Sequence, residues 1–157
     1  MKSRHHDDGT SIHDFTDRFI VRCPKCDACA EVTRIDNDRG VHPWQARFCC
    51  PKCASVKTGT LGGWSDREPV DWVFGLPLWL QTPCCGKTLW AYNYPHLAFI
   101  ESYVNADHRI GLTDADAVRL GIRNSTLAST LPSWMIAAKN RKHVLHAIHK
   151  LRTEKAT

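Results

Sequence analysis

Cys23-Pro24-Lys25-Cys26 and Cys50-Pro51-Lys52-Cys53 are two copies of one tetrapeptide, separated by the 23 residues from Asp27 to Cys49. Two thiolates with two residues between them can grip one edge of a tetrahedron, because the intervening turn brings both sulfurs to the same side. Proline and lysine suit such a turn. Two knuckles of this kind supply four ligands, the number a structural zinc ion takes, so Cys23, Cys26, Cys50 and Cys53 are expected to bind one zinc ion. Four thiolates leave no position for water or substrate. The metal is therefore expected to organise the fold and not to carry out a reaction.

Working outward, short β-favouring runs surround the knuckles at residues 18–22 (RFIVR), 31–35 (EVTRI), 45–49 (QARFC) and 55–58 (SVKT). Asn37-Asp38-Arg39-Gly40 reads as the turn between the second and third runs, since Asn, Asp and Gly tolerate the backbone angles of a tight reversal. Residues 18–60 are thus expected to form a β-hairpin zinc ribbon. Ahead of it, residues 1–17 are polar, carry Arg4, His5, His6, Asp7 and Asp8, and read as a mobile tail. Behind it, the Gly-rich polar stretch 59–69 (GTLGGWSDREP) places a linker at 61–70.

In residues 71–157 the pattern changes. The runs 76–82 (LPLWLQT) and 87–92 (KTLWAY) flank Pro83-Cys84-Cys85-Gly86, which predicts a hairpin with that tetrapeptide at its turn and Trp79 packed across the strands on Trp90. Pro95 suits a first helical turn, and Leu97, Ile100, Tyr103 and Val104 follow at helical spacing to about Asp107. Asn124 or Ser125 caps a short helix bearing Leu127 and Leu131 that Pro132 ends, after which Ser133 and Trp134 open another. In the last helix Ala137, Arg141, Val144, Ile148 and Leu151 share a stripe, with Lys142, His143, His146, His149 and Lys150 largely off it. The expected class is α+β, an N-terminal zinc ribbon followed by a small hairpin-plus-helices domain.

The stretches 75–107 (GLPLWLQTPCCGKTLWAYNYPHLAFIESYVNAD) and 125–150 (STLASTLPSWMIAAKNRKHVLHAIHK), taken with the two knuckles, resemble a family of small bacterial zinc-ribbon proteins of unassigned function. Labels for such proteins invoke the zinc ribbon of transcription initiation factors. The resemblance implies zinc at Cys23, Cys26, Cys50 and Cys53 but carries no transcriptional role, because the second half is unlike those factors.

The longest uncharged stretch, Trp72 to Gly86, is interrupted by Gly75, Pro77 and Pro83 and falls short of the ~20 apolar residues a membrane helix needs. No secretory signal is visible, so a cytoplasmic location is expected, where clustered cysteines are reduced and free to ligate metal. From Ser133 onward six basic residues face Glu154 alone, which accounts for the whole net charge of +5. Arg141, Lys142, Lys150 and Arg152 are the expected contact to an acidic partner surface.

Four cysteines remain. Cys29 forms a second Cys-x-x-Cys with Cys26, and Cys49 adjoins Cys50; both are read as reduced structural thiols. Cys84 and Cys85 are read the same way. Their rival role, a second metal set with Cys29, Cys49 or a histidine, meets the objection that adjacent cysteines do not easily face one ion. Cys84, Cys85 and His96 also define an alternative, a thiol- or metal-dependent enzyme, but no third residue orients the pair. The functional expectation is a non-enzymatic, macromolecule-binding adaptor or regulator, with a protein partner favoured over nucleic acid; an inhibitor or immunity protein for a toxin or enzyme is one version of it.

Overall fold

The computed structural model describes residues 4–6, 15–35, 45–61, 68–106, 108–110 and 131–155. Four antiparallel strands succeed one another in sequence and in space: β2 (Arg18–Arg22), β3 (Cys29–Arg34), β4 (Gln45–Cys49) and β5 (Val56–Thr60). The register places Phe19 opposite Val32, and Val32 opposite Phe48, so alternate residues of three strands build one apolar face. Two further antiparallel strands, β6 (Leu80–Cys84) and β7 (Lys87–Ala91), form the predicted hairpin. Helix α1 (Tyr94–Asn105), the short α2 (Ser133–Ile136), a 3-10 turn (Ala138–Asn140) and helix α3 (Arg141–Glu154) complete the α+β fold. Within the segment read as a tail, β1 (Arg4–His6) runs parallel to β8 (His108–Ile110).

The ribbon sheet shares its core with residues 72–92. Residues 77–79 run antiparallel to β2, with Arg22 N–H donating to Pro77 O (2.9 Å) and Trp79 N–H to Ile20 O (2.9 Å); Ile20 N–H also donates to Tyr92 O (2.8 Å). Trp72, Leu78 and Tyr92 accordingly lie in the same core as Phe19, Val21, Val32 and Phe48. Phe19, Trp72 and Tyr92 meet with ring centroids 5.1–5.9 Å apart, and Trp72 Nε1–H donates to Tyr92 Oη at 3.0 Å. Asp71, 2% exposed, holds the loop that delivers these rings: its carboxylate accepts from the backbone N–H groups of Val73, Phe74 and Leu76 at 2.6–2.8 Å. Gly59 on β5 is needed for the same closure, since a Cβ there would lie 2.8 Å from the Phe74 ring.

A second core lies where α1 and α3 cover the β6–β7 hairpin, built from Leu80, Leu89, Leu97, Ile100, Val144, Ile148 and Leu151 with their neighbours. Asn93 caps α1, its side chain accepting from His96 N–H (3.0 Å) while its amide donates to Phe15 O and Arg18 O, both at 2.8 Å. Phe15, placed in the tail by composition, is thereby tied to the second half.

The expected pairing of Trp79 with Trp90 does not form. Trp90 stands opposite Gln81 and packs on Tyr92 at 5.1 Å. The chain bends at Trp79, just before β6, and its indole instead donates to Lys155 O (3.0 Å) at the end of α3 while Lys155 Nζ lies 4.7 Å over its ring. In α3, Val144, Ile148 and Leu151 are buried as the stripe predicts, joined by Ala147, whereas Ala137 precedes the helix and Arg141 is half-buried. The helix expected from Asn124 or Ser125 lies outside the described residues, as does Asp107.

Candidate metal centre

The two knuckles repeat in backbone as they do in sequence. Cys23 N–H donates to Ala28 O (2.8 Å) and Asp27 N–H returns to Cys23 O (2.9 Å); Cys50 N–H donates to Ser55 O and Ala54 N–H to Cys50 O, both at 2.9 Å. The residue after each second cysteine takes a left-handed conformation, Asp27 at φ 61° and Ala54 at φ 60°. One knuckle joins β2 to β3 and the other joins β4 to β5, so the sheet brings them face to face at one end.

The sulfurs of Cys23, Cys26, Cys50 and Cys53 all lie within 4.8 Å of one another, a group able to hold one metal ion. Cys23 Sγ is 3.7 Å from Cys53 Sγ, and Cys26 Sγ is 3.5 Å from Cys50 Sγ. The first cysteine of each knuckle is wholly buried in the ribbon core, while Cys26 and Cys53 are half-buried at its rim. The cluster therefore closes the end of the core. The Cys53 backbone N–H, working against burial, brings the Cys50 thiol down to about 6, with further help from the Cys26 sulfur and the Lys52 N–H. Cys26 is pushed up to about 12, since the downward pull of the Ala28 backbone is outweighed by burial together with the sulfurs of Cys50, Cys23 and Cys53. Crowded thiols share protons in this way, and a cation among them displaces those protons.

The other thiols stand outside this cluster. Cys29 lies opposite Arg22, half-buried, its thiol raised by burial and then by Glu31; Cys49 is exposed on β4 opposite Glu31 and Val56. Cys84 and Cys85 occupy the tip of the β6–β7 hairpin, with their sulfurs 3.6 Å apart. Burial, followed by Cys85, pushes the Cys84 thiol up to about 11. His96 is turned elsewhere. Its ring is sandwiched between Phe15 and Tyr92, 5.2 Å from each, and its Nδ1 accepts from Tyr92 N–H (3.1 Å). Burial drives it down to about 3, so the imidazole is neutral.

The four basic residues singled out from the sequence divide into two kinds. Lys142 and Lys150 are exposed. Arg141 instead donates to Ala106 O at the end of α1 (3.0 Å), and Arg152 pairs with Glu101 of α1 at 2.6 Å, so both help to dock α3. Asp71 and Asn93, which organise the frame around the site, went unnoticed in the sequence; Asn93-Tyr94-Pro95 does carry a capping signal, an Asn placed ahead of a first-turn proline. Among the described residues no helix is long and apolar enough to cross a membrane. No protein-family model, curated protein or solved structure matches this chain.

Proposed function

We propose that this chain is a binding module, an adaptor or regulator of a protein partner, whose first half is organised by one structural zinc ion on Cys23, Cys26, Cys50 and Cys53. The closed four-sulfur cluster carries the reading. Zinc–sulfur bonds of about 2.3 Å at tetrahedral angles put sulfurs about 3.8 Å apart, and the 3.5 and 3.7 Å separations fit that edge. An all-thiolate tetrahedron selects soft or borderline ions such as zinc or iron over magnesium or calcium. Four protein ligands leave the ion structural.

Two features support a protein partner. Strand β5 is the outer strand of its sheet, with β4 its one strand neighbour among the described residues, and its Val56 is 56% exposed. The basic end has only Lys142 and Lys150 left facing outward from the four candidate residues, a small footprint for nucleic acid. A thiol-enzyme role is opposed by the neutral, enclosed His96 and by the raised Cys84 thiol.

Elemental analysis of Cys85→Ser protein purified under reductant is expected to show one zinc per chain; a coloured, iron-loaded protein would remove the zinc assignment. Affinity capture with wild type, Val56→Asp and Lys142→Glu/Lys150→Glu, with and without nuclease, tests the rest. The expected result is a protein retained through nuclease treatment and lost with at least one variant. Retention that disappears with nuclease would transfer the reading to nucleic acid.

A further inference from the structure

The tip of the β6–β7 hairpin and one face of α3 enclose a surface cleft of about 540 Å³, lined among others by Cys84, Cys85, His143, His146 and Lys150. Four side chains of metal-ligating type thus line one cleft from two elements that share a core, since Cys84 packs in the same cluster as Val144 and Ala147 of α3; among the described residues only the four ribbon cysteines already have their ligand atoms gathered within 4.8 Å, so a metal here would draw the two histidines in to the sulfurs. None of them belongs to the ribbon site.

The objection to adjacent cysteines as ligands is that consecutive side chains of an extended strand point to opposite faces. It does not hold here. Cys85 and Gly86 form the two-residue turn with φ of 53° and 74°, the left-handed pair that a tight hairpin requires. That twist brings the Cys85 side chain round to the side of Cys84, and their sulfurs lie 3.6 Å apart. The separation matches the 3.5 and 3.7 Å of the ribbon cluster in the same chain, and it fits one edge of a zinc tetrahedron. A linear two-coordinate ion would need the sulfurs on opposite sides of it.

His143 and His146 are exposed and three residues apart on α3, so they are neighbours on one helix face. Both line the cleft and neither belongs to the buried face of α3. We propose that this cleft is a second metal site, in which the thiolates of Cys84 and Cys85 and the imidazoles of His143 and His146 take a zinc-type divalent ion in tetrahedral Cys2His2 coordination. Binding releases the two thiol protons to solvent, and the two thiolates then balance the charge of the ion, so Lys150 nearby faces a neutral complex. The site is open to solvent on one side, whereas the ribbon cluster is closed. It therefore loses its ion to a chelator first.

Native mass spectrometry under a non-thiol reductant, after loading with three equivalents of zinc, tests the proposal in the full-length protein. Wild type is expected to hold two ions, and Cys85→Ser and His143→Ala/His146→Ala one each, with circular dichroism unchanged because all three residues are exposed. Cobalt titration supplies an independent readout: the second equivalent should add a tetrahedral spectrum with weaker sulfur-to-metal charge transfer than the first. A single ion in loaded wild type would overturn the proposal. So would a second ion that survives Cys85→Ser and leaves only with the histidines, which would mark chance binding by helix imidazoles. Failure of the ribbon site is told apart by Cys85→Ser and His143→Ala/His146→Ala, which keep all four ribbon ligands: the absence of any bound ion in these variants would mark failure of the ribbon site, not of the cleft.

Discussion

Ala54 holds a backbone conformation that alanine resists. At φ 60° its Cβ crowds the following carbonyl, at a cost of about 1–2 kcal/mol that glycine does not carry. The side chain is exposed, so nothing packed is lost on removing it. Ala54→Gly in the metal-loaded protein is expected to raise stability by about 0.5–1 kcal/mol, seen as an upward shift of the thermal midpoint; a fall would mean that the second knuckle does not need the left-handed turn. His96 gives a pH dependence of definite sign. Its ordinary value is 6.5 and its buried value about 3, so above 6.5 folded and unfolded chains are both neutral there, and below 6.5 the unfolded chain binds a proton that the folded one refuses. Stability is therefore lost as pH falls from 6.5, by about 1.4 kcal/mol per pH unit until the folded value is reached. Urea unfolding at pH 6.5 and pH 5 should show a loss larger by about 2 kcal/mol in wild type than in His96→Gln, which keeps an acceptor but does not titrate. Equal losses would show that His96 is not enclosed.

At the scale of elements, the hairpins and helices arise from local patterns, but their docking depends on polar residues whose partners lie far along the chain. Helix α3 shows this. Its apolar stripe buries Val144, Ile148 and Leu151, Arg141 and Arg152 reach α1, and the Lys155 carbonyl just past its C-terminal end accepts from the Trp79 indole. Arg141 and Lys142, neighbours of equal charge, should therefore respond differently to reversal. Arg141→Glu is expected to cost about 2 kcal/mol by losing a charged donor to Ala106 O, whereas Lys142→Glu stays within about 0.5 kcal/mol. Chemical denaturation of the two variants checks the ranking, and equal effects would mean that the α1 contact contributes nothing.

For the whole molecule, the consequence of the shared core is cooperativity. Trp72, Leu78 and Tyr92 belong to the ribbon core although they lie beyond the expected linker, and residues 77–79 hydrogen-bond to β2. Structural zinc in finger-like modules contributes ~10–16 kcal/mol of apparent binding energy, comparable with or above the ~5–15 kcal/mol stability of a domain. Chelation is therefore expected to destabilise both halves in one transition, with tryptophan fluorescence and the helical far-ultraviolet signal changing together. A ribbon that melts while the helical signal persists unchanged would show two independent units. Acid should act in the same direction, because each thiolate must be free of its proton to bind the ion.

What the sequence by itself determined is what depends on short spacing. The repeated tetrapeptide identified the four sulfurs of the cluster, the alternation around it the strands of the ribbon, Pro83-Cys84-Cys85-Gly86 the hairpin turn, and the three-and-four spacing the buried face of α3. These arise from backbone geometry over a few residues, and their periods can be counted along the chain. Only the tertiary structure decided the rest. That Trp79 turns away from Trp90, that Arg141 and Arg152 reach across to α1, that His96 is neutral between two rings, and that Cys84 and Cys85 share a cleft with His143 and His146 all depend on residues distant along the chain or on a twist confined to one turn. Such contacts are chosen by how the two cores close against each other, through packing and hydrogen bonding that have no local period to read.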